Sequence, residues 1–96
     1  MHMDEKKRYY TYILRCGDGT LYTGYAADPK LRVRTHNAGK GAKYTRTRLP
    51  VTLVYTECFP SRSAAQQREA QIKQLSRAQK LLLIERCQKV LSSDPN

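Results

Sequence analysis

The sequence predicts an α+β domain in which a small three-stranded central sheet, mixed or antiparallel, is flanked by helices in the order β-β-α-β-α-α. Three observations carry this expectation. Two runs rich in aromatic and β-branched residues flank an Asp-Gly pair near the start of the chain, and a third lies in its middle. Two Ser-x-x-Gln signatures, each opening a helix-forming stretch, occupy the last third.

In chain order, Tyr9 to Arg15 (Tyr-Tyr-Thr-Tyr-Ile-Leu-Arg) suits a pleated, half-buried strand. Cys16-Gly17-Asp18-Gly19 follows, and Asp-Gly signals a hairpin because its second position accepts positive φ. Thr20 to Tyr25 reads as the returning strand. Asp28-Pro29 marks a helix start: the aspartate can cap free amides, and proline is tolerated at the first helical position. Asn37-Ala38-Gly39 supplies a left-handed stop. Gly39 to Pro50 reads as a loop, and Val51 to Cys58 as the third strand. Ser63 with Gln66, and Ser76 with Gln79, look like capping boxes. They predict helices from about Ser63 to Leu75 and from Arg77 to Val90, with Ile72, Leu75, Leu81, Leu82, Ile84 and Val90 as their apolar faces.

The chain has 96 residues, which suits one domain with a modest core. We expect a polar tail over residues 1–8, the domain over 9–91, and a second tail over 92–96. Lysine and arginine number 18 against 8 acidic residues, a formal charge of +10 spread along the whole chain. Such an excess attracts polyanions, so nucleic acid is the favoured partner; a membrane surface ranks second, and a merely soluble basic protein is the plain alternative. No long apolar run and no leader with an apolar middle is visible, which disfavours a spanning or secreted protein and favours the cytoplasm. Cys16, Cys58 and Cys87 have neither zinc-site spacing nor an even count, which points to free thiols.

Motif positions narrow the reading. Tyr12 stands in a Tyr-Ile-Leu context on the first strand, and Tyr22 precedes Thr23-Gly24 on the second. Arg32 and His36 lie one helical turn apart on one face, and Glu69 follows in the penultimate helix. Over residues 9 to about 85 this pattern closely resembles the GIY-YIG nuclease superfamily. The segment Asn37 to Arg46 (Asn-Ala-Gly-Lys-Gly-Ala-Lys-Tyr-Thr-Arg) also looks like its compact, single-domain YhbQ/YazA-like bacterial branch. A lone Tyr-x-Gly is a weak signal. Five matches in order, on fitting elements, are a strong one.

The resemblance implies a metal-dependent endonuclease that hydrolyses DNA phosphodiester bonds in repair, recombination or DNA processing. Its catalytic residues would be Tyr12, Tyr22, Arg32, His36 and Glu69, with Gly24 as a structural motif residue. Glu69 would hold one divalent ion, Mg²⁺ or Mn²⁺. By the same resemblance Tyr12 is the better candidate base, and Tyr22 positions water or phosphate. DNA is the implied partner, whether single-stranded, duplex or branched; RNA stays open, and a repair protein could supply specificity. The branch usually carries a basic residue where this chain has Leu31, and an apolar one where it has Pro29.

The residue types suit that chemistry independently. A carboxylate can hold one hard cation whose other ligands are water and phosphate oxygens. Arginine grips non-bridging oxygens as a permanently charged fork. A tyrosine beside such charges could be deprotonated, or could orient water. Lys30, Arg34, Lys40, Lys43, Arg46 and Arg48, with Tyr44 as a stacking ring, would form a phosphate-tracking surface. Each residue taken alone has a plainer role: cross-strand packing for the tyrosines, a solvated charge for Arg32, a dipole contact for His36, an i,i+4 pair with Lys73 for Glu69, and a solvated loop for the basic cluster. The alternatives to an enzyme are a catalytically silent nucleic-acid-binding module and an adaptor for a repair nuclease.

Overall fold

The computed structural model describes residues 8–92; the expectations for residues 1–7 and 93–96 lie outside them. Strand β1 spans Tyr9–Arg15, β2 Leu21–Ala26 and β3 Thr52–Phe59. Both pairings are antiparallel and the sheet order is β2-β1-β3, so β1 is central. Gly19 has φ +87° in the hairpin turn, the backbone conformation its Asp-Gly context predicts. Helix α1 spans Pro29–Asn37, α2 Lys43–Arg46, α3 Arg62–Lys73 and α4 Arg77–Ser92. The predicted order is therefore present, with one additional short helix, α2. At four residues it is too brief to show a periodicity.

Side chains alternate across each strand, so the sheet feeds two cores. On one face Tyr12, Leu14, Cys16, Ala26 and Val51 pack with Val33 of α1. On the other, Ile13, Val54 and Tyr55 meet Ile72 of α3 and Ile84 of α4. The central strand is thus covered twice, and Thr11 to Leu14 are all buried. Thr11 settles its hydroxyl by donating to the carbonyl of Ala65 on α3 at 2.8 Å. Each fully buried aliphatic here contributes about 1.5–3 kcal/mol by leaving water.

The caps follow sequence chemistry, with one correction. Asp28 accepts from the Leu31 amide at 3.1 Å, and Gly39 closes α1 with φ +81°. Ser76 and Gln79 exchange the reciprocal pair of a capping box, at 2.9 and 3.2 Å. The Ser63–Gln66 box does not form. Pro60 follows the last residue of β3, and the extended Ser61 caps α3 by accepting from the Ala64 amide at 3.1 Å. Ser63 falls inside the first turn.

A second correction concerns α4. Leu81 and Leu82 are 39% and 54% exposed, while Leu83, Ile84 and Cys87 face the core. The buried stripe follows i, i+1 and i+4 from Leu83, and the two preceding leucines fall outside it. The side chain of Val90 lies outside what the structure describes.

The segment between α1 and β3 is held at its neck. Asn37 donates its side-chain amide to the Val51 carbonyl at 3.1 Å and accepts the Val51 amide at 2.7 Å. The hairpin turn clasps the same segment: Gly17 N–H donates to the Arg48 carbonyl at 2.6 Å, and Arg48 pairs with Asp18 at 3.2 Å.

Candidate active site

Tyr12 occupies the middle of the central strand and is 1% exposed. Its cross-strand partner is Gly24, and a β-carbon there would stand 2.6 Å from the Tyr12 hydroxyl oxygen. The glycine is needed for close approach: only a residue without a side chain lets the phenol lie across β2. Burial pushes the Tyr12 hydroxyl up to about 12, Tyr22 adds to the rise, Arg32 opposes it and Glu69 reinforces it. Tyr12 is therefore neutral in the free protein, within electrostatic reach of three of the other four predicted site residues.

Tyr22 lies on the same sheet face, opposite Leu14. Its ring meets His36 edge-on, with centroids 5.5 Å apart at 63°, and stacks on Tyr44 at 6.0 Å and 24°. Arg32 and His36 come from α1, where Asp28 and Pro29 set the start and hence the phase of the helix. Arg32 is exposed; His36 is 2% exposed. A hollow of about 300 Å³ lined by Tyr22, Arg32, His36 and Lys40 opens between them.

The state of His36 can be deduced. Its Nδ1 is 2.7 Å from the Thr45 hydroxyl oxygen, which is itself 2.9 Å from the Ala42 carbonyl oxygen. Two oxygens so close require a proton between them, and only the threonine has one. Thr45 thus accepts from His36 Nδ1–H, leaving Nε2 with its lone pair. That nitrogen is buried without a hydrogen-bond partner. Burial, and then the charge of Arg32, lower the His36 pKa below its usual value, so the ring is neutral near pH 7. Gly41 lies directly against the imidazole, where a β-carbon would collide with the ring. Thr45 and Gly41 are site-shaping residues that the sequence did not single out. Gly41 has no unusual backbone to betray it, and nothing local in the sequence marks Thr45.

Glu69 comes from α3. Its side chain is 19% exposed and pairs with Lys73 at 3.0 Å, the i,i+4 contact that spacing alone allows. Among the described residues no group of three or more acidic, histidine or cysteine side chains could enclose a metal. A single part-exposed carboxylate nevertheless fits a hard cation that keeps most of its shell as water and phosphate oxygen. The Lys73 pair is no barrier, because a contact this exposed is worth a few tenths of a kcal/mol.

The predicted phosphate-tracking residues are not equivalent. Lys30 and Arg34 are exposed on α1, Lys40 rims the hollow, and Lys43 and Arg46 are exposed on α2. Tyr44, 39% exposed, stacks on Tyr22. Arg48 is engaged: its guanidinium sits 3.9 Å over the Tyr44 ring, donates to the Tyr44 carbonyl at 2.6 Å and pairs with Asp18.

A family model described as the GIY-YIG catalytic domain matches residues 8–81, which carry this hairpin and these helices. The chain belongs to the GIY-YIG family, a nuclease superfamily. Within it, the chain falls in the small single-domain group of UPF0213 proteins. It is 58% identical over 78 residues to the UPF0213 protein SH2523 of Staphylococcus haemolyticus, covering 81% of this chain and 95% of that one. It is 61% identical over 72 residues to the UPF0213 protein VNG_2274C of Halobacterium salinarum, covering 75% and 94%. The solution structure of the UPF0213 protein BH0048 from Bacillus halodurans is similar, with 49% identity, TM-score 0.53, and 81% and 83% of the two chains covered. No helix among the described residues is long and apolar enough to cross a membrane.

Proposed function

We propose that the protein is a divalent-metal-dependent DNA endonuclease, hydrolysing phosphodiester bonds in repair, recombination or DNA processing. The observation that carries this reading is the convergence of Tyr12, Tyr22, Arg32 and His36 on one face, with the Glu69 carboxylate within electrostatic reach of Tyr12. Arg32, exposed at the rim of the hollow, grips the non-bridging oxygens of the phosphate in a fork and stabilises the charge that builds there. Glu69 is the residue to hold Mg²⁺ or Mn²⁺. A cation there supplies further positive charge to the phosphate and acidifies nearby water.

Tyr12 presents its hydroxyl across Gly24. At pH 8, with its pKa about 12, only about one molecule in 10⁴ carries the phenolate. It acts as a base only when its surroundings become more positive. Arg32 provides part of that charge. The Glu69 carboxylate opposes ionisation, and a cation held there would offset that opposition. His36, held neutral with Nε2 bare, keeps a buried proton acceptor beside Tyr22. Tyr22 in turn orients water or phosphate at its mouth.

The test is cleavage of labelled single-stranded, duplex, flap and junction DNAs with Mg²⁺, Mn²⁺ or EDTA, comparing wild type with Glu69→Ala. Products that need the metal and vanish in the variant support the enzyme. Intact binding with no products from any substrate would favour a silent binding module, or an adaptor that works through a partner nuclease.

A further inference from the structure

Arg32 is the common wall of two hollows. One is the hollow already described. The other, of about 470 Å³, is lined by Tyr9, Tyr25, Ala26, Ala27, Arg32 and Arg62. We propose that this second hollow is a subsite for one unstacked nucleotide, next to the phosphate gripped at Arg32. The proposal rests on the nuclease reading and names the form of its substrate.

The lining has the chemistry of a nucleotide. Tyr25 pairs with Thr11 in the strand register, so it points to the sheet face opposite Tyr12 and Gly24, at the edge strand β2. Tyr9 sits at the start of β1, two residues before Thr11 and hence on that same side. The hollow therefore wraps the end of the sheet, from Arg32 on α1 to Arg62 on α3. Two tyrosine rings offer faces on which any base can stack. Ala26 and Ala27 complete the lining with side chains too small to fill it. Arg62 is exposed, with its guanidinium 5.6 Å from the centre of the Tyr9 ring. Neither Arg32 nor Arg62 is paired with a carboxylate among the described residues, so both present their charge to an incoming ligand. The volume falls within the range of about 300–1,000 Å³ typical of small-ligand pockets.

The subsite selects substrate form. A base inside continuous duplex is stacked and paired, and entering the hollow would require pulling it out. A base in a flap, gap or single strand has already lost those contacts. A strand passing over Arg32 would lay one phosphate there and send its neighbour toward Arg62, with the base between the tyrosines. The predicted preference is DNA with unpaired nucleotides at the cleavage point.

The test measures binding in EDTA, so it does not depend on turnover. Fluorescence anisotropy compares a flap DNA with a continuous duplex of equal length. The fluorescent adenine analogue 2-aminopurine, placed in turn at the first unpaired positions, reports stacking. Arg62→Ala should weaken flap binding about tenfold, and duplex binding no more than Arg77→Ala, which removes the same charge from α4. Tyr25→Phe should keep the 2-aminopurine quenching, and Tyr25→Leu should lose it. Equal losses on flap and duplex for Arg62→Ala and Arg77→Ala, or 2-aminopurine that never responds, would overturn the subsite. If wild type cleaves DNA with Mg²⁺ while those results hold, the subsite alone falls. If wild type binds no DNA of any form, the nuclease reading falls with it.

Discussion

The Tyr12 hydroxyl lies across the α-carbon of Gly24, its partner on the neighbouring strand, so closely that a methyl group at Gly24 would stand 2.6 Å from the phenolic oxygen. Tyr12 is 1% exposed, packed among the side chains of the core. Gly24→Ala should therefore displace the phenol, costing about 1–3 kcal/mol of stability through overpacking. Cleavage should fall at least 100-fold, because the displaced hydroxyl is the candidate base. Denaturant unfolding and single-turnover cleavage check the two effects, and near-normal activity would show that Tyr12 can act from elsewhere.

Thr45 fixes which nitrogen of His36 carries the proton. Thr45→Val keeps the shape but strips the acceptor from a buried N–H, which should cost about 1–3 kcal/mol. The ring nitrogen NMR shifts of wild type should show the proton on Nδ1. In the variant that preference should weaken, and activity should fall together with it. An unchanged tautomer would mean that the imidazole is held by its packing against Gly41 instead.

Arg32 offers a fork, and a lysine could not reproduce it. Arg32→Ala should lower the cleavage rate about 10²–10³-fold or more with the fold intact, and Arg32→Lys should recover little of the loss. Circular dichroism and rates at saturating substrate separate folding from chemistry. Full rescue by lysine would reduce the role of Arg32 to a point charge.

Buried groups tie stability to pH at both ends of the scale, with Tyr12 and His36 prominent among them. The Tyr12 pKa is raised by burial from 10 to about 12, so the fold favours the neutral phenol. Its contribution, about 2–3 kcal/mol, is complete below pH 10 and is lost as pH rises through 12. The His36 pKa is lowered by burial and then by Arg32, so its contribution is present above pH 6.5 and fades as pH falls through the folded value. Urea unfolding of wild type should weaken in both directions from neutrality. Tyr12→Phe should reduce the alkaline slope, leaving the part that Tyr55 carries because burial raises its pKa as well, and should leave the acid limb in place. A variant that keeps the full alkaline slope would assign it to another group.

Much of this architecture was legible in the residues themselves, because it rests on local chemistry. Asp28-Pro29 sets the start of α1 and therefore the phase that brings Arg32 and His36 to one side. The Ser76–Gln79 pair forms as written. Ser61 was missed because Ser63, with Gln66 three residues on, offered the fuller capping-box signal, whereas Ser61 has Ala64 at that spacing. Leu81 and Leu82 were misplaced because a run of four apolar residues does not state which side faces inward. The five candidate site residues were legible through the resemblance of their motif to the GIY-YIG family, whereas Thr45 and Gly41 were not singled out. What those two do depends on a contact across the chain with His36, and no periodicity records it.

The pair of hydrogen bonds between Asn37 and Val51 makes one side chain behave as a rung of backbone, joining the end of α1 to the start of β3. The stretch between them is consequently a ring whose clasp does not depend on what the ring contains. Lengthening such a ring costs little, about 0.6 kcal/mol for each doubling, so long as the clasp holds. The scaffold beneath can therefore stay constant while the basic crown above it changes size, which gives this compact domain a place to acquire new reach over a polyanion without rebuilding its sheet.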